Sequence, residues 1–218
     1  SAIKARDVII CCPHPRAKKT TNMCINIIRE TLVREGAPAD IIQGIEEPSI
    51  TLTQELMKRC DLVIATGGRP MVKSAYSSGV PAYGSGAGNA TVIIDNTCNT
   101  PERQAEAAMN TRISKCSDFG SGCSCDGNLI IHEDVYDGFV AALVKEGAYL
   151  ANEEEAEKLK AVMWDEAGHR LPNTVAISPQ KLAEAAGFEI PADRKFIAVT
   201  GGGIENVGKE HFFSSEKL

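Results

Sequence analysis

Cys123 and Cys125 stand two residues apart in a loop that reads SDFGSGCSCDG over residues 117–127. A thiolate is a strong nucleophile, and its surroundings tune its pKa. Glycine and serine around the thiols let a backbone approach a ligand closely, and function concentrates on such loops. Two readings follow: a loop that presents a nucleophilic thiol, or a mobile surface loop with two ordinary thiols. Cys116 adds a third sulfur nearby, but a structural zinc site wants four ligands at tighter spacing, and no metal is expected.

Three further stretches carry residues that can meet a ligand. Thr66, Gly67 and Gly68, with Met71 behind them, follow an apolar run and open a helical pattern. Such a turn aims backbone N–H groups and a helix start at a phosphate; without a GxGxxG it reads equally as a tight strand-to-helix turn. Pro13, His14, Pro15 and Arg16 also follow an apolar run. His14, Arg16 and Lys18 suit phosphates or a ribose edge, and suit a solvated basic turn as well. Gly84, Gly86 and Gly88 lie within GSGAGN (84–89). That stretch is a hinge between lobes, a backbone surface against a cofactor, or both, since ligand sites favour domain interfaces. His132, His169 and His211 read as structural, and local spacing assembles no serine–histidine–aspartate triad.

The elements around these stretches alternate. Strands are predicted at residues 7–12, 41–45, 61–65, 91–95, 128–132 and 196–200, with a short extended piece at 80–83. Helices are predicted from Thr20 or Thr21 to about residue 35, and at 49–59, 71–78, 100–116, 133–146, 152–162 and 178–187. Met23, Ile27, Ile28 and Leu32 mark the predicted inner face of the first helix. Thr100 with Pro101, and three glutamates at 153–155, are helix-start signals. The alternation predicts an α/β fold with a doubly wound parallel sheet, divided into residues 1–85 and 86–218. Strand ends and the turns after them then share one edge of the sheet, including the turns after residues 12 and 65.

Composition narrows the class. The 218 residues, 43% hydrophobic, are enough for a sizeable core. A net charge of −6 without a Lys/Arg run argues against a nucleic-acid footprint. No apolar run has bilayer-spanning length, and SAIKARD leads into no signal region, so a cytoplasmic protein is expected. The eight cysteines are not spaced as a secreted disulfide framework. Cys11, Cys12, Cys24 and Cys60 read as small buried hydrophobes.

Read together, PHPRAKK (13–19), ATGGRPMVKSAYSSGVPAYGSGAGNATVIID (65–95) and SGCSCDGNLIIHEDVYDGF (121–139) resemble the aldehyde dehydrogenase superfamily. Within it they look most like the coenzyme A-acylating branch: acetaldehyde, sulfoacetaldehyde and succinate-semialdehyde dehydrogenases. The likeness runs from about Ile9 to the closing GKEHFFSSEKL. It implies a partial Rossmann-like cofactor domain followed by part of an α/β catalytic domain.

The resemblance makes Cys123 the nucleophile, on a loop ahead of a strand and of Val135-Tyr136-Asp137; Cys125 falls where relatives carry a small residue. It implies cofactor contacts at Pro13, His14, Pro15, Arg16, Thr66, Gly67, Gly68, Met71, Gly84 and Gly86. The implied reaction oxidises a small aldehyde with NAD or NADP through a cysteine thioester, and coenzyme A takes the acyl group as co-substrate. Hydrolytic members place a glutamate base near the position of Gly84. None stands there, which favours transfer to a thiol. The SGCSCDGNLII neighbourhood looks closest to sulfoacetaldehyde enzymes, with acetaldehyde as the generic substrate. An anionic substrate would want a cation, and Arg112, Lys115 and Arg170 are the candidates. Full-length members run to more than twice this length and contain an oxyanion-hole asparagine, a ribose-binding acid and an oligomer-forming segment that this sequence lacks. Weak or no turnover is expected of the chain alone, and a homo-oligomer of the full-length form. The competing reading is a non-catalytic nucleotide-binding or thiol redox module.

Overall fold

Short apolar runs alternate with segments that open on a capping hydroxyl or a proline, and the chain folds accordingly. The computed structural model describes residues 2–86, 88–201 and 212–214. It forms two compact units, Ser1–Gly86 and Ala87–Leu218.

The first unit runs α1 (Ala2–Ala5), β1 (Ile9–Cys11), α2 (Lys18–Arg34), β2 (Ile42–Gly44), α3 (Ile50–Met57), β3 (Val63–Thr66), α4 (Arg69–Tyr76) and β4 (Ala82–Ser85). β1 pairs with β2 in parallel, Cys11 opposite Gly44, and β3 with β4, Thr66 opposite Ser85. Each parallel pair is joined through a helix, as the topology requires. Ser49 caps α3 by accepting from Leu52 N at 3.1 Å. Val63 and Ala65 point inward with Met57 and Ala75, while Ile64 on the other face is 77% exposed and Tyr83 70%. The period-2 alternation therefore puts helices on one face of β3–β4 and leaves the other uncovered.

The predicted inner face of α2 is corrected. Met23 is 65% exposed, Ile27 and Ile28 are also exposed, and Ile25 is the buried side chain. The helix meets β2 through polar groups instead: Asn22 Nδ2 donates to Ile45 O at 3.1 Å and Arg29 Nε to Ile42 O at 3.1 Å. Gly44 admits this approach, because a Cβ there would run into Asn22 and Ile25. Cys24 shares the outer face and is exposed, against the expectation that it is buried. α2 also begins at Lys18, ahead of the predicted threonine cap.

The second unit runs β5 (Ala90–Ile94), α5 (Pro101–Cys116), β6 (Asp126–Ile131), α6 (Tyr136–Lys145), β7 (Ala148–Ala151), α7 (Glu153–Met163), α8 (Pro179–Ala185) and β8 (Phe196–Val199). β5 pairs with β6 and β7 with β8, both in parallel. Phe139 and Ala108 are fully buried between α5, α6 and the strands, with Ile94, Leu143, Ala148 and Phe196 around them. A second cluster holds Leu159, Met163, Trp164 and Ala186, with Phe212 and Phe213 edge-on to the indole. Thr100 and Ser178 cap α5 and α8, and Asn152 with Glu155 forms a full capping box on α7. β7 is an element that the sequence reading lacks. It follows Gly147, whose φ of 104° favours glycine and whose carbonyl accepts from Lys195 N at 2.8 Å.

The class is α/β with parallel ladders. Gly84 and Ser85 lie inside β4 rather than in the break predicted over GSGAGN. Glu133 and Asp134 sit in a 3-10 turn capped by His132, and the helix proper starts at Tyr136. Among the described residues no helix is long and apolar enough to cross a membrane, and no three His, Cys, Asp or Glu side chains gather to hold a metal ion. Gly202, Gly203 and His211 lie outside the described residues.

Candidate active site

α5 delivers the cysteine loop. Its last turn is followed by a left-handed run, with Asp118 and Phe119 at φ 49° and Gly120 at φ 69°. Left-handed backbone costs a residue with a Cβ roughly 1–2 kcal/mol, so the surroundings must hold Asp118 and Phe119 there. Ser121 supports the turn through Asp118: its hydroxyl donates to Oδ2 at 2.5 Å and its N–H to the carbonyl at 3.1 Å. The loop is closed across its base by Ser114 on α5 and Asp126 on β6. Ser114 Oγ donates to Asp126 Oδ1 at 2.9 Å and accepts from Asp126 N at 3.0 Å.

Within this frame the two thiols differ. Cys125 is half-buried; its Sγ donates to Gly120 O at 3.3 Å and its N–H to Gly122 O at 3.2 Å. Cys125 therefore ties the end of the loop to the left-handed turn. Cys123 is exposed, and its thiol has no hydrogen-bond partner among the described residues. One thiol builds the loop and the other is displayed by it.

Of the three candidate cations, Arg112 is paired, its Nε donating to Glu146 Oε2 at 2.6 Å. Arg170 stacks 5.1 Å from the Trp164 ring and donates to Met163 O and to Thr174, and burial pushes its guanidinium down to about 10. Lys115 lies beneath the loop with a buried Nζ that has no hydrogen-bond partner among the described residues. Burial pushes its ammonium pKa down, while Cys125 and Asp126 pull it up. Lys115 also lines a cavity of about 280 Å³ with Asp126, Asn128, Leu129 and Phe196.

The first unit holds the predicted cofactor residues. Thr66 and Ser85 end β3 and β4 in register, so Thr66, Gly67 and Gly68 emerge beside Gly84 and Gly86. The geometry brings these two stretches together. Gly67 N donates to Ser85 O at 3.0 Å, and Gly84 N to Tyr76 Oη at 3.0 Å. Gly84 must be glycine because a Cβ there would strike Tyr76 and Val72. Gly68 caps α4; Pro70 has no N–H, and Met71 N and Val72 N both donate to Gly68 O. That leaves the amides of Gly68 and Arg69 as the donors at the helix start. Thr66, Gly68 and Met71 are exposed. A groove of about 500 Å³ between α3 and α4 is lined by Gln54, Lys58, Pro70, Lys73 and Ser74.

Pro13, His14, Pro15 and Arg16 follow β1, in the other parallel pair. Pro13 is buried and the next three are exposed. His14 Nδ1 accepts from Arg16 N at 3.2 Å, which fixes a 3-10 turn, and Lys18 is held by Glu47 at 2.5 Å. The other described histidines cap or brace turns: His132 Nδ1 accepts from Asp134 N at 3.3 Å, and His169 lies 3.2 Å from Asp165.

Sequence reasoning passed over Ser114 and Asp126, which close the loop. Their one signal is position: one polar residue in the last turn of a helix, and one just after the second cysteine.

Comparison with known proteins gives the chain's relatives. The sequence is 42% identical over 220 residues to a sulfoacetaldehyde dehydrogenase of Acholeplasma sp, covering 99% of this chain and 44% of that protein. The fold superposes on an acetylating aldehyde dehydrogenase from Geobacillus thermoglucosidasius with a TM-score of 0.90 and 41% identity, covering 100% of this chain and 47% of that one. A propionaldehyde dehydrogenase from Rhodopseudomonas palustris with bound propionyl-CoA matches with a TM-score of 0.78 and 28% identity, covering 94% of this chain and 44% of that one. The chain spans about half the length of the curated relatives it matches. The profile described as "Aldehyde dehydrogenase family" matches residues 1–183, and the chain belongs to that family.

Proposed function

We propose that Cys123 is the nucleophile of a CoA-acylating, nicotinamide-dependent oxidation of a small aldehyde. The observation that carries this is the contrast between the thiols: Cys125 is spent on the loop, while Cys123 is exposed on it without a hydrogen-bond partner among the described residues. The relative named as acetylating, and the one with propionyl-CoA bound, support coenzyme A as the acyl acceptor.

The Cys123 thiolate attacks the carbonyl carbon, a C–S bond forms, and the oxygen becomes an alkoxide. Backbone N–H groups at the loop hold that oxygen. NAD or NADP, when bound, accepts the hydride. The carbonyl then reforms as a thioester on Cys123. The coenzyme A thiol, having lost its proton, attacks this carbonyl; the C–S bond to Cys123 breaks, and the enzyme thiol is regenerated. Thiol exchange needs no activated water, in keeping with the absence of a carboxylate at residues 82–88.

The residues of the first unit fit the nucleotide. The amides of Gly68 and Arg69 at the start of α4, the turn at residues 66–68, and Lys58 and Lys73 in the adjoining groove suit phosphate. Gly84, Gly86 and Met71 border the same strand ends, and Pro13, His14, Pro15 and Arg16 extend the surface after β1. A sulfonated aldehyde is favoured over acetaldehyde by Lys115, whose charge lies under the cysteine loop without a hydrogen-bond partner among the described residues. A homo-oligomeric, cytoplasmic enzyme goes with this reading.

The test is intact-mass analysis after incubation with aldehyde and NAD. An acyl adduct is expected that is lost in Cys123→Ser and kept in Cys125→Ser. An adduct that persists in Cys123→Ser overturns the assignment and favours a thiol redox module.

A further inference from the structure

Directly after the cysteine loop, the β5–β6 ladder skips a residue. Ala90 stands opposite Asp126, but Thr91 stands opposite Asn128, so Gly127 has no partner in the register. A bulge of this kind bends its strand and re-aims what precedes it, and bulges gather next to active sites. In a parallel pair it is rare, and something must hold it open.

Asn89, the residue before β5, fills the place. A Cβ built on Gly127 would overlap the Asn89 side-chain amide, both Oδ1 and Cγ, whichever way that amide is turned. The Asn89 Nδ2 is buried and has no hydrogen-bond partner among the described residues. A buried amide donor left without a partner is costly, so its position is not explained by hydrogen bonding. Its shape is what the fold uses. Asn89 immediately precedes the first strand of the ladder, and Gly127 lies in the second, four residues after Cys123 and one after the Ser114–Asp126 closure.

We propose that Asn89 is a positioning residue for the nucleophile loop: its amide seats against Gly127, holds the bulge, and thereby sets the point at which the Cys123 loop joins β6. The inference rests on the reading of Cys123 as nucleophile. It accounts for two sequence features at once, the asparagine that closes GSGAGN and the glycine that closes CSCDG. Any side chain at 127 must displace Asn89, and loss of Asn89 frees the bulge, so the two changes remove the same interlock.

The experiment is a double-mutant cycle on the 218-residue chain: Asn89→Ala, Gly127→Ala and the pair. The first readout is acyl transfer from acetyl-CoA to Cys123, followed by intact mass. In it the coenzyme A thiolate leaves as the thioester forms on Cys123, and no redox step is needed. The second readout is iodoacetamide alkylation of Cys123 relative to Cys24, an exposed thiol in the other unit. Misplacing a reacting group by about 1 Å can cost up to about a hundredfold, so each single variant is expected to slow acyl transfer about tenfold to a hundredfold. The pair should lose no more than the worse single variant, because the effects are coupled. The alkylation ratio should stay at the wild-type value, since the thiol remains displayed. Losses that multiply in the pair, wild-type transfer in either single variant, or an alkylation ratio that moves with transfer overturn the interlock. An adduct that persists in Cys123→Ser, or none in the wild type, overturns the nucleophile reading instead.

Discussion

Ser114→Ala removes both hydrogen bonds that close the cysteine loop. The hydroxyl donates to a carboxylate at 2.9 Å and accepts from a backbone N–H at 3.0 Å, both half-buried. A hydrogen bond to a charged group contributes about 1.5–3 kcal/mol and a neutral one about 0.5–1.5. Alanine returns a few tenths of a kcal/mol through its better helix propensity. The expected loss is about 2–3 kcal/mol. Trp164 is the one tryptophan and lies buried in the second unit's core, so its fluorescence reports the unfolding of that unit in urea. With a slope of about 1–3 kcal/mol per molar urea, the midpoint should fall by roughly 1–2 M. A Ser114→Ala midpoint at the wild-type value would refute the closure.

Three further outcomes follow from named contacts. Alkylation with peptide mapping should mark Cys24 and Cys123 first, and Cys125, Cys116 and Cys11 late; burial also holds the thiols of Cys116 and Cys11 above the usual range. Phe119→Gly should stabilise the second unit by about 1 kcal/mol, because it relieves the left-handed backbone at φ 49° while the lost side chain is mostly exposed; destabilisation would show that the ring is needed. Hydrogen bonds from the Thr97 hydroxyl and N–H hold Asp95 below its ordinary 3.8. A depressed carboxylate adds stability that is present above the unfolded pKa and is lost as pH falls through the folded one. Thr97→Val should therefore raise the Asp95 titration midpoint seen by NMR and move the acid limb of stability upward.

Much of this fold is legible in the sequence because local chemistry and tertiary packing agree. Thr100-Pro101 opens a helix as its capping chemistry demands, and so does Asn152 with Glu155 three residues on. α2 shows the opposite case. Its isoleucines suggest an inner face, but β2 and the residue after it offer carbonyls at Ile42 and Ile45, and Arg29 and Asn22 take them. Tertiary hydrogen bonding overrides hydrophobic pattern there. β7 escapes notice because AYLA carries no strand pattern of its own and is fixed by its pairing with β8. In the loop, Gly120 signals a turn, but nothing in Asp118-Phe119 signals two consecutive left-handed residues. The Ser114–Asp126 closure joins residues twelve apart and leaves no periodic trace. The division of labour between the thiols appears only when Gly120 O is seen beside Cys125.

The central claim is that Cys123 is the acyl carrier, and acetyl-CoA tests it without aldehyde or nicotinamide. Mixing the chain with acetyl-CoA and reading intact mass over time should show one acetyl group per chain with release of coenzyme A. Peptide mapping should locate it on Cys123, and Cys125→Ser should retain it. An acetyl group on Cys125, or one that survives Cys123→Ser, would contradict the account.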